Sequence, residues 1–541
     1  MSTSSLPYNA VMLFLLAFLD TSKIVRAELP SPPSRYVPLS REEIEEFAKI
    51  NRFERRHMGG GTGEEAKPVK FSPLPSDTLL SDFEVIDYTG WIPPDPQIAV
   101  GTRHLGEVVN TSIAFYRKDD GAQVYYNTLR GFFSSVIPSG GMAFDPKIAY
   151  DIPAGRWLVL ALYYNSSSQT SHYLLAVSQT SNPLGGWYYY RLNAKYDDAT
   201  YRNNWADYPS IGFNDRWVVL SSQQIGFSSY DYYPKVRVLN KDSAYNGTLN
   251  GWTEDFVGSE LGCIYNWPKI SRSTYDYSGD VYVVAFRRMY KIYGPTNSPQ
   301  ISPCITLPIG SYSYPPNAPQ GGGYDSLEVV GATFQVYYLN GRLYYTFHEE
   351  HPLSPYLVSG RLVILDTSGT VIEDLRLYEN GASWIYPAVS VSPKGWAVSF
   401  TRVGTVAGAY PSAAYVSRAS YDTTPSPPRV YRAGLSWYFN DHGYGRNRWG
   451  DYFGGGPDPV DSTLWVVAEL PMAGNDSLWT TWVAHVSFYP PTLLTSEAPD
   501  PVEGEGAIYT VDGRRTTDLK AGRIYFVVDR GKVRKVLKLR Q

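Results

Sequence analysis

Three features of the chain predict an all-β fold, and specifically a seven-bladed β-propeller with a short N-terminal helical leader and a small C-terminal β unit. The first is composition. Of 541 residues, 15% are aromatic and only 18% charged, with 46 Tyr, 47 Gly and 40 Pro, a balance suited to pleated strands and tight turns. The second is a phrase that recurs seven times between residues 80 and 490. The third is a set of strand-like runs that are apolar throughout, as in Trp157-Leu158-Val159-Leu160-Ala161-Leu162. A strand covered on both faces reads this way, and a blade packed between two others is so covered.

The recurrent phrase is a polar or aromatic residue, usually followed by Pro, ahead of an apolar run. Its copies are Asp95-Pro96-Gln97-Ile98, Asp145-Pro146-Lys147-Ile148, Tyr208-Pro209-Ser210-Ile211, Trp267-Pro268-Lys269-Ile270, Thr333-Phe334-Gln335-Val336, Tyr386-Pro387-Ala388-Val389 and Asp451-Tyr452-Phe453-Gly454. The fifth and seventh lack Pro. Successive copies lie about 50 to 66 residues apart, enough for four short strands and their turns. The second unit predicts strands over Ile148–Asp151, Trp157–Tyr164, Tyr173–Thr180 and Trp187–Leu192, with turn chemistry at each boundary. A pair of β-sandwiches is the competing architecture, but repetition at this period favours the propeller.

The ends read differently. Ala10–Leu19 is an apolar run too short to span a bilayer but suited to a signal peptide, with Val25-Arg26-Ala27 at the cut, so residues 1–27 are expected to be a signal peptide. Residues 28–80 read as leader and linker, with a capping box at Ser40 and Glu43 opening one short helix before Gly59-Gly60-Gly61. The propeller is expected over 81–490 and an acidic, Pro-bracketed linker over 491–505. A small unit is expected over 506–541, with strands at Ile508–Arg514 and Gly522–Val528.

Charge excludes one class of partner. The net charge of -4 offers no basic field for phosphate backbones, and the basic cluster Arg530–Arg540 lies in a terminal tail, so no nucleic-acid partner is expected. No window approaches a transmembrane helix, and none is expected in the mature chain. Cys263 and Cys304 are the two cysteines, too few for a disulfide framework. In an exported chain they are a candidate bridge, and otherwise two buried thiols.

The most specific internal motif occurs twice: Arg202-Asn203-Asn204-Trp205-Ala206-Asp207-Tyr208 and Arg446-Asn447-Arg448-Trp449-Gly450-Asp451-Tyr452. In a propeller, residues just before the innermost strand of each blade converge at one mouth of the central channel. Asp95, Asp145, Asp207 and Asp451 are therefore expected to share a rim. Such carboxylates could hold a hard cation such as Ca²⁺, the one cofactor the pattern suggests, or hydrogen-bond a polyol while Trp205 and Trp449 offer flat faces to a sugar. Arg202, Tyr208, Arg446 and Tyr452 complete this candidate ligand site. The same residues also suit a purely architectural part, with Asp capping turns, Trp filling the wedge between blades and Arg pairing with Asp.

Other templates find little. His348-Glu349-Glu350-His351 lacks the i, i+4 spacing of a helical zinc site. No Gly-x-Ser-x-Gly elbow, phosphate loop or dinucleotide fingerprint is present. Glycosidic hydrolysis needs two suitably spaced carboxyl groups, for which Glu349, Glu350 and Asp207 are candidates, and no catalytic residue is assigned.

At Pro93–Gly101, at Trp205–Ile211 and at Arg448–Tyr452 with Asp458-Pro459, the chain resembles large secreted bacterial proteins with a sialidase-like (BNR-type) β-propeller. The resemblance implies the fold and not sialidase chemistry, since no Ser-x-Asp-x-Gly-x-Thr-Trp box is present. Val511-Asp512-Gly513-Arg514, Leu519, Gly522, Ile524-Tyr525-Phe526 and Lys535–Lys538 resemble the second half of the C-terminal (Por) sorting domain of the type IX secretion system. That likeness implies the type IX export machinery as a partner. The chain is thus expected to be secreted or cell-surface, binding an extracellular glycan or protein at the channel mouth without assigned catalysis. A glycoside hydrolase or lyase at the same mouth and an architectural surface protein are the alternatives.

Overall fold

In the computed structural model, the described residues are 65–488, apart from positions 74, 265, 266, 323 and 441–445, together with the strands Ala507–Thr510, Ile524–Asp529 and Lys532–Leu537. The expected signal peptide, leader helix and linker lie outside them. The chain divides into two units, one ending at Phe488 and one beginning at Tyr489.

The first unit is a β-propeller of seven blades. Blade 1 runs Gln97–Val100, His104–Val109, Ser112–Arg117, Gln123–Thr128, and blade 2 runs Met142–Asp151, Arg156–Asn165, Thr170–Ser178, Trp187–Asn193. Blade 3 runs Asn204–Phe213, Trp217–Gly226, Tyr232–Asn240, Glu254–Val257. Blade 4 has inner strands Lys269–Ser273, Val281–Ala285 and Arg288–Tyr293, with the short Gln300–Ile301 and Ile305–Thr306 both pairing on the third. Blade 5 runs Thr333–Leu339, Arg342–His351, Ser354–Asp366, Val371–Leu377, and blade 6 runs Ala382–Ser392, Gly395–Gly404, Ser412–Ala419, Arg429–Arg432. Blade 7 takes Gly455–Pro457, Leu464–Pro471 and Trp479–Phe488 from the C-terminal side and Asp77–Asp87 from the N-terminal side. Neighbouring strands within each blade are antiparallel, whereas the innermost strands of blades 3, 4 and 5 pair with one another in parallel around the axis.

This order shows why the interior strands read as apolar throughout. One core cluster lies between blades 1 and 2, another between 2 and 3, and so on around the ring, each drawing side chains from both neighbours. The largest merges blades 6, 7 and 1 with the closing strand. Trp157 and Trp217 open the second strands of blades 2 and 3 and are fully buried, and their indole N–H groups donate to Ser181 O and Thr296 O at 2.9 Å.

The recurrent phrase has a definite local structure. Asp95, Asp145, Tyr208, Trp267 and Tyr386 each precede Pro and adopt φ between 47° and 56°, a conformation uncommon for residues other than glycine. In blades 2, 3 and 6 the pairing of first and second strands shifts register there. In these three blades the phrase is a bulge and the inner strand begins ahead of it, whereas in blades 1 and 4 the strand begins after it, at Gln97 and Lys269. Blade 2's first strand starts at Met142, not at the expected Ile148, because the ladder resumes across the bulge.

The ring closes through the N-terminal side of the chain. Asp77–Asp87 pairs antiparallel with Trp479–Phe488, so the propeller begins before the expected boundary at 81, and Lys67–Pro68 adds a parallel edge to blade 5. Cys263 and Cys304 form a disulfide with Cα atoms 6.4 Å apart, beside the core shared by blades 3 and 4. His348-Glu349-Glu350-His351 lies in the second strand of blade 5 and is absorbed by packing. His348 accepts from Tyr386 N and faces Val330 O, while Glu349 pairs with Arg361 and Arg376 at 2.9 and 3.0 Å. In the second unit the three described strands form an antiparallel sheet in sequence order. The third of them, Lys532–Leu537, was not expected.

Glu107 of blade 1 is fully buried and accepts from Ile86 N of the closing strand at 2.8 Å. Burial raises its pKa to about 8. Between the ordinary carboxyl range and pH 8 the unfolded chain has released this proton and the native chain has kept it, so stability falls as pH rises through that window. Glu107→Gln keeps the acceptor and removes the titration. Unfolding free energies from urea titrations at pH 5 and pH 8 are expected to fall less in Glu107→Gln than in wild type, the difference approaching about 1.4 kcal/mol per pH unit.

Candidate functional site

Because strands alternate in direction, one face of the propeller carries the starts of the innermost strands, the turns between second and third strands, and the connections between blades. The phrases converge on this face at the axis. Half-buried Asp207, Trp267, Arg448 and Asp451 stand over a buried floor of Asp95, Asp145, Lys147, Tyr208, Lys269 and Tyr452. These residues come from blades 1, 2, 3 and 4 and from the connection entering blade 7.

Backbone links hold the ring of phrases together. Asp95 accepts from Asp451 N at 2.6 Å with one oxygen and from Asn110 Nδ2 at 2.8 Å with the other, and Asn110 Oδ1 accepts from Asp145 N at 2.8 Å. Asp95 is thus consumed in joining blades 1, 2 and 7. Tyr208 OH donates to Asp451 O at 2.6 Å, and its ring stacks on Trp267 with centroids 4.6 Å apart. Tyr208 and Tyr452, which end the twin phrases, meet edge to face at 5.4 Å.

The twin phrases otherwise diverge. Arg202 is exposed and pairs with Asp197 at 3.4 Å, whereas Arg446 pairs with Glu328 through a 2.8 Å contact. Trp205 packs half-buried against Tyr164 and Phe144 between blades 2 and 3. Trp449 is wholly enclosed, its ring against Tyr438 at 4.8 Å and its N–H donating to Thr401 Oγ1. Neither indole faces the mouth; the indole there is that of Trp267, stacked on Tyr208. The reason is local: Tyr208 sits in a Pro-directed bulge at φ 51°, whereas Tyr452 has no following Pro and enters a three-residue strand.

Sequence reasoning missed Lys147 and Lys269, which occupy the same place in their phrases, two residues after the bulge residue. That coincidence was readable. Lys147 Nζ lies over the ring of Tyr452 and Lys269 Nζ is 4.0 Å from the ring of Tyr208 and 5.8 Å from that of Tyr452. Both amines and the Tyr452 hydroxyl are buried without a hydrogen-bond partner in the protein. Arg448 stands in the second twin phrase where the first has Asn204; it pairs with Asp451 at 2.5 Å.

Burial raises the pKa of Asp145 to about 6, with Lys147 working against the rise. Burial and then the charges of Asp145 and Asp451 push Asp207 well above the carboxylate range. Burial opposes the Arg448 charge, but Asp451 and Glu328 outweigh it and hold the guanidinium protonated. Burial, then the charge of Lys269, pulls Lys147 well below the usual lysine range, and burial lowers Lys269 to about 7 against the pull of Asp145 and Asp451.

Interspersed bases set this array apart from a ring of carboxylates alone. Among the described residues the set of three ligand atoms within 4.8 Å is Asp458, Asp461 and His485, not the mouth aspartates. Those three are already engaged, Asp458 by Lys118 and Trp465, Asp461 and His485 by Thr463. Deeper along the axis, Arg272 of blade 4 donates to Ile211 O and Ile148 O at 2.9 Å, tying blades 2, 3 and 4 together.

No family model matches the chain, and no curated protein matches it. Solved structures do. The extracellular domains 1-2 of Drosophila Semaphorin 1b are 9% identical, over 76% of this chain and 88% of theirs, with a TM-score of 0.35. The Penicillium chrysogenum alpha-L-arabinanase complexed with arabinobiose is 11% identical, over 76% of this chain and 98% of its own, with a TM-score of 0.37. The Dos1 propeller is 10% identical, over 70% and 75%, with a TM-score of 0.34. At these identities the likeness is one of fold alone, and the seven-blade count stands on the sheets themselves.

Lys269 gives the site a pH signature. From pH 7 up to the ordinary lysine range the unfolded chain holds this proton and the native chain does not, so its contribution to stability rises with pH. Lys269→Met removes that contribution. Urea midpoints measured at pH 7 and pH 9 are expected to climb less, or fall more, in Lys269→Met than in wild type.

Proposed function

We propose that this is an exported propeller that binds a glycan at the axial mouth framed by Asp207, Trp267, Arg448 and Asp451. The observation that carries the reading is the interleaving of donors and acceptors there. Carboxyl groups of Asp145, Asp207 and Asp451 alternate with the amines of Lys147 and Lys269 and the Arg448 guanidinium, and both amines lack a protein acceptor. A sugar hydroxyl both donates and accepts, so a polyol suits such an array better than a simple ion of either sign. The Trp267 indole, stacked on Tyr208 and half-buried, supplies the flat apolar surface on which a sugar ring rests. The Cys263–Cys304 bond supports export, since disulfides persist in oxidising compartments.

Hydrolysis at the same mouth has one observation in its favour. Asp207 is pushed toward its protonated form while Asp451 is ion-paired with Arg448, and an acid beside a differently poised carboxylate is what glycoside cleavage requires.

On a panel of immobilised polysaccharides, wild type is expected to retain at least one glycan. The Asp207→Ala/Asp451→Ala pair is expected to weaken that binding at least tenfold, with an unchanged far-ultraviolet spectrum. Equal retention of both proteins would refute this location. Release of reducing ends by wild type but not by the double variant would move the assignment from binding to hydrolysis.

A further inference from the structure

We propose that Lys269, with Lys147 beside it, is a nucleophilic amine that forms an imine with a small aldehyde or ketone entering the mouth. The proposal goes beyond glycan binding and does not depend on it. Its basis is the arrangement of the two amines. They rise from the innermost strands of blades 2 and 4 and share the ring of Tyr452 as a neighbour. Their residues are 4% and 3% exposed, and neither Nζ has a hydrogen-bond partner in the protein.

A purely structural lysine in a protein interior is expected to spend its N–H donors on acceptors. The same molecule shows that pattern elsewhere: Lys235 donates to Ala194 O and Tyr196 O and pairs with Asp197, and Lys241 donates to Asn214 O and pairs with Asp151. Lys147 and Lys269 depart from it together, beneath the half-buried residues of the mouth. Desolvation and a neighbouring cation are the two conditions that free a lysine lone pair for attack on a carbonyl, and both lower Lys147, while burial lowers Lys269 to about 7.

The chemistry balances with the carbonyl compound as the co-reactant. The neutral Nζ lone pair forms the C–N bond as the carbonyl π electrons move to oxygen, which takes up a proton. Nitrogen releases one proton to give the neutral carbinolamine, its hydroxyl takes up a second proton and leaves as water, and nitrogen releases its other proton to leave the imine. Water supplies and accepts these protons, and Asp145 is the foremost charge partner of Lys269. Water reverses each step.

The test uses the full chain, glyceraldehyde as the probe and sodium cyanoborohydride to reduce any imine, followed by peptide mapping. At pH 7 the expected result is an adduct at Lys269 or Lys147 ahead of the exposed Lys67 and Lys70, with labelling of Lys269 half-maximal near pH 7. Modification ordered by exposure, with the buried pair untouched, overturns the proposal. So does a pH profile for the pair that coincides with that of Lys67 and Lys70. Because the probe needs no polysaccharide, failure here is separate from failure of the glycan panel.

Discussion

A ring of blades holds only if its two ends are joined, and in this protein that junction also builds the site. The strand Asp77–Asp87 completes blade 7 from the opposite end of the chain, and the Asp451 N–H donates to Asp95 across the same seam. Without the first, the flank of blade 7 would be an open edge beside blade 1. Without the second, the two phrases that meet at the seam would have no reason to align. Closure therefore does more than finish the core: it brings residues from opposite ends of the chain to one axis.

The seam is apolar outside and polar inside, and the two halves place opposite demands on the fold. Between blades, tryptophans and branched side chains gain by leaving water, and an apolar core lies between each pair of neighbours around the ring. At the axis, four aspartates, two lysines and an arginine lose water without full pairing, which costs stability. The fold tolerates that cost because the innermost strands are pinned from behind, by their own blades and by bridging groups such as Arg272. It is on these polar groups that the proposed binding site rests.

Much of the architecture was legible in the residues. Apolar strands such as Trp157–Leu162 required cover on both faces, and the spacing of the phrases required a closed repeat. The number of blades, the phrase at the head of each and the convergence of Asp145, Asp207 and Asp451 followed from that. The closing strand was less legible, because Asp77–Asp87 alternates weakly and its partner lies about four hundred residues away. The helix after Ser40 and the acidic linker fall outside the described residues.

Sequence by itself determined which segments become strands, since periodicity and turn chemistry are local properties, and it determined that the phrases share one face, since repetition with alternating strand direction leaves no other arrangement. Only the tertiary structure decided what each phrase does there. Trp205 and Trp449 hold the same place in twin motifs, yet one is wedged between blades and the other is enclosed, while Trp267, from a phrase with no twin, lies at the mouth. Lys147 and Lys269 looked like ordinary strand residues until the ring closed around them. The physical reason is that burial and charge pairing are set by neighbours from other blades, and no single blade contains them.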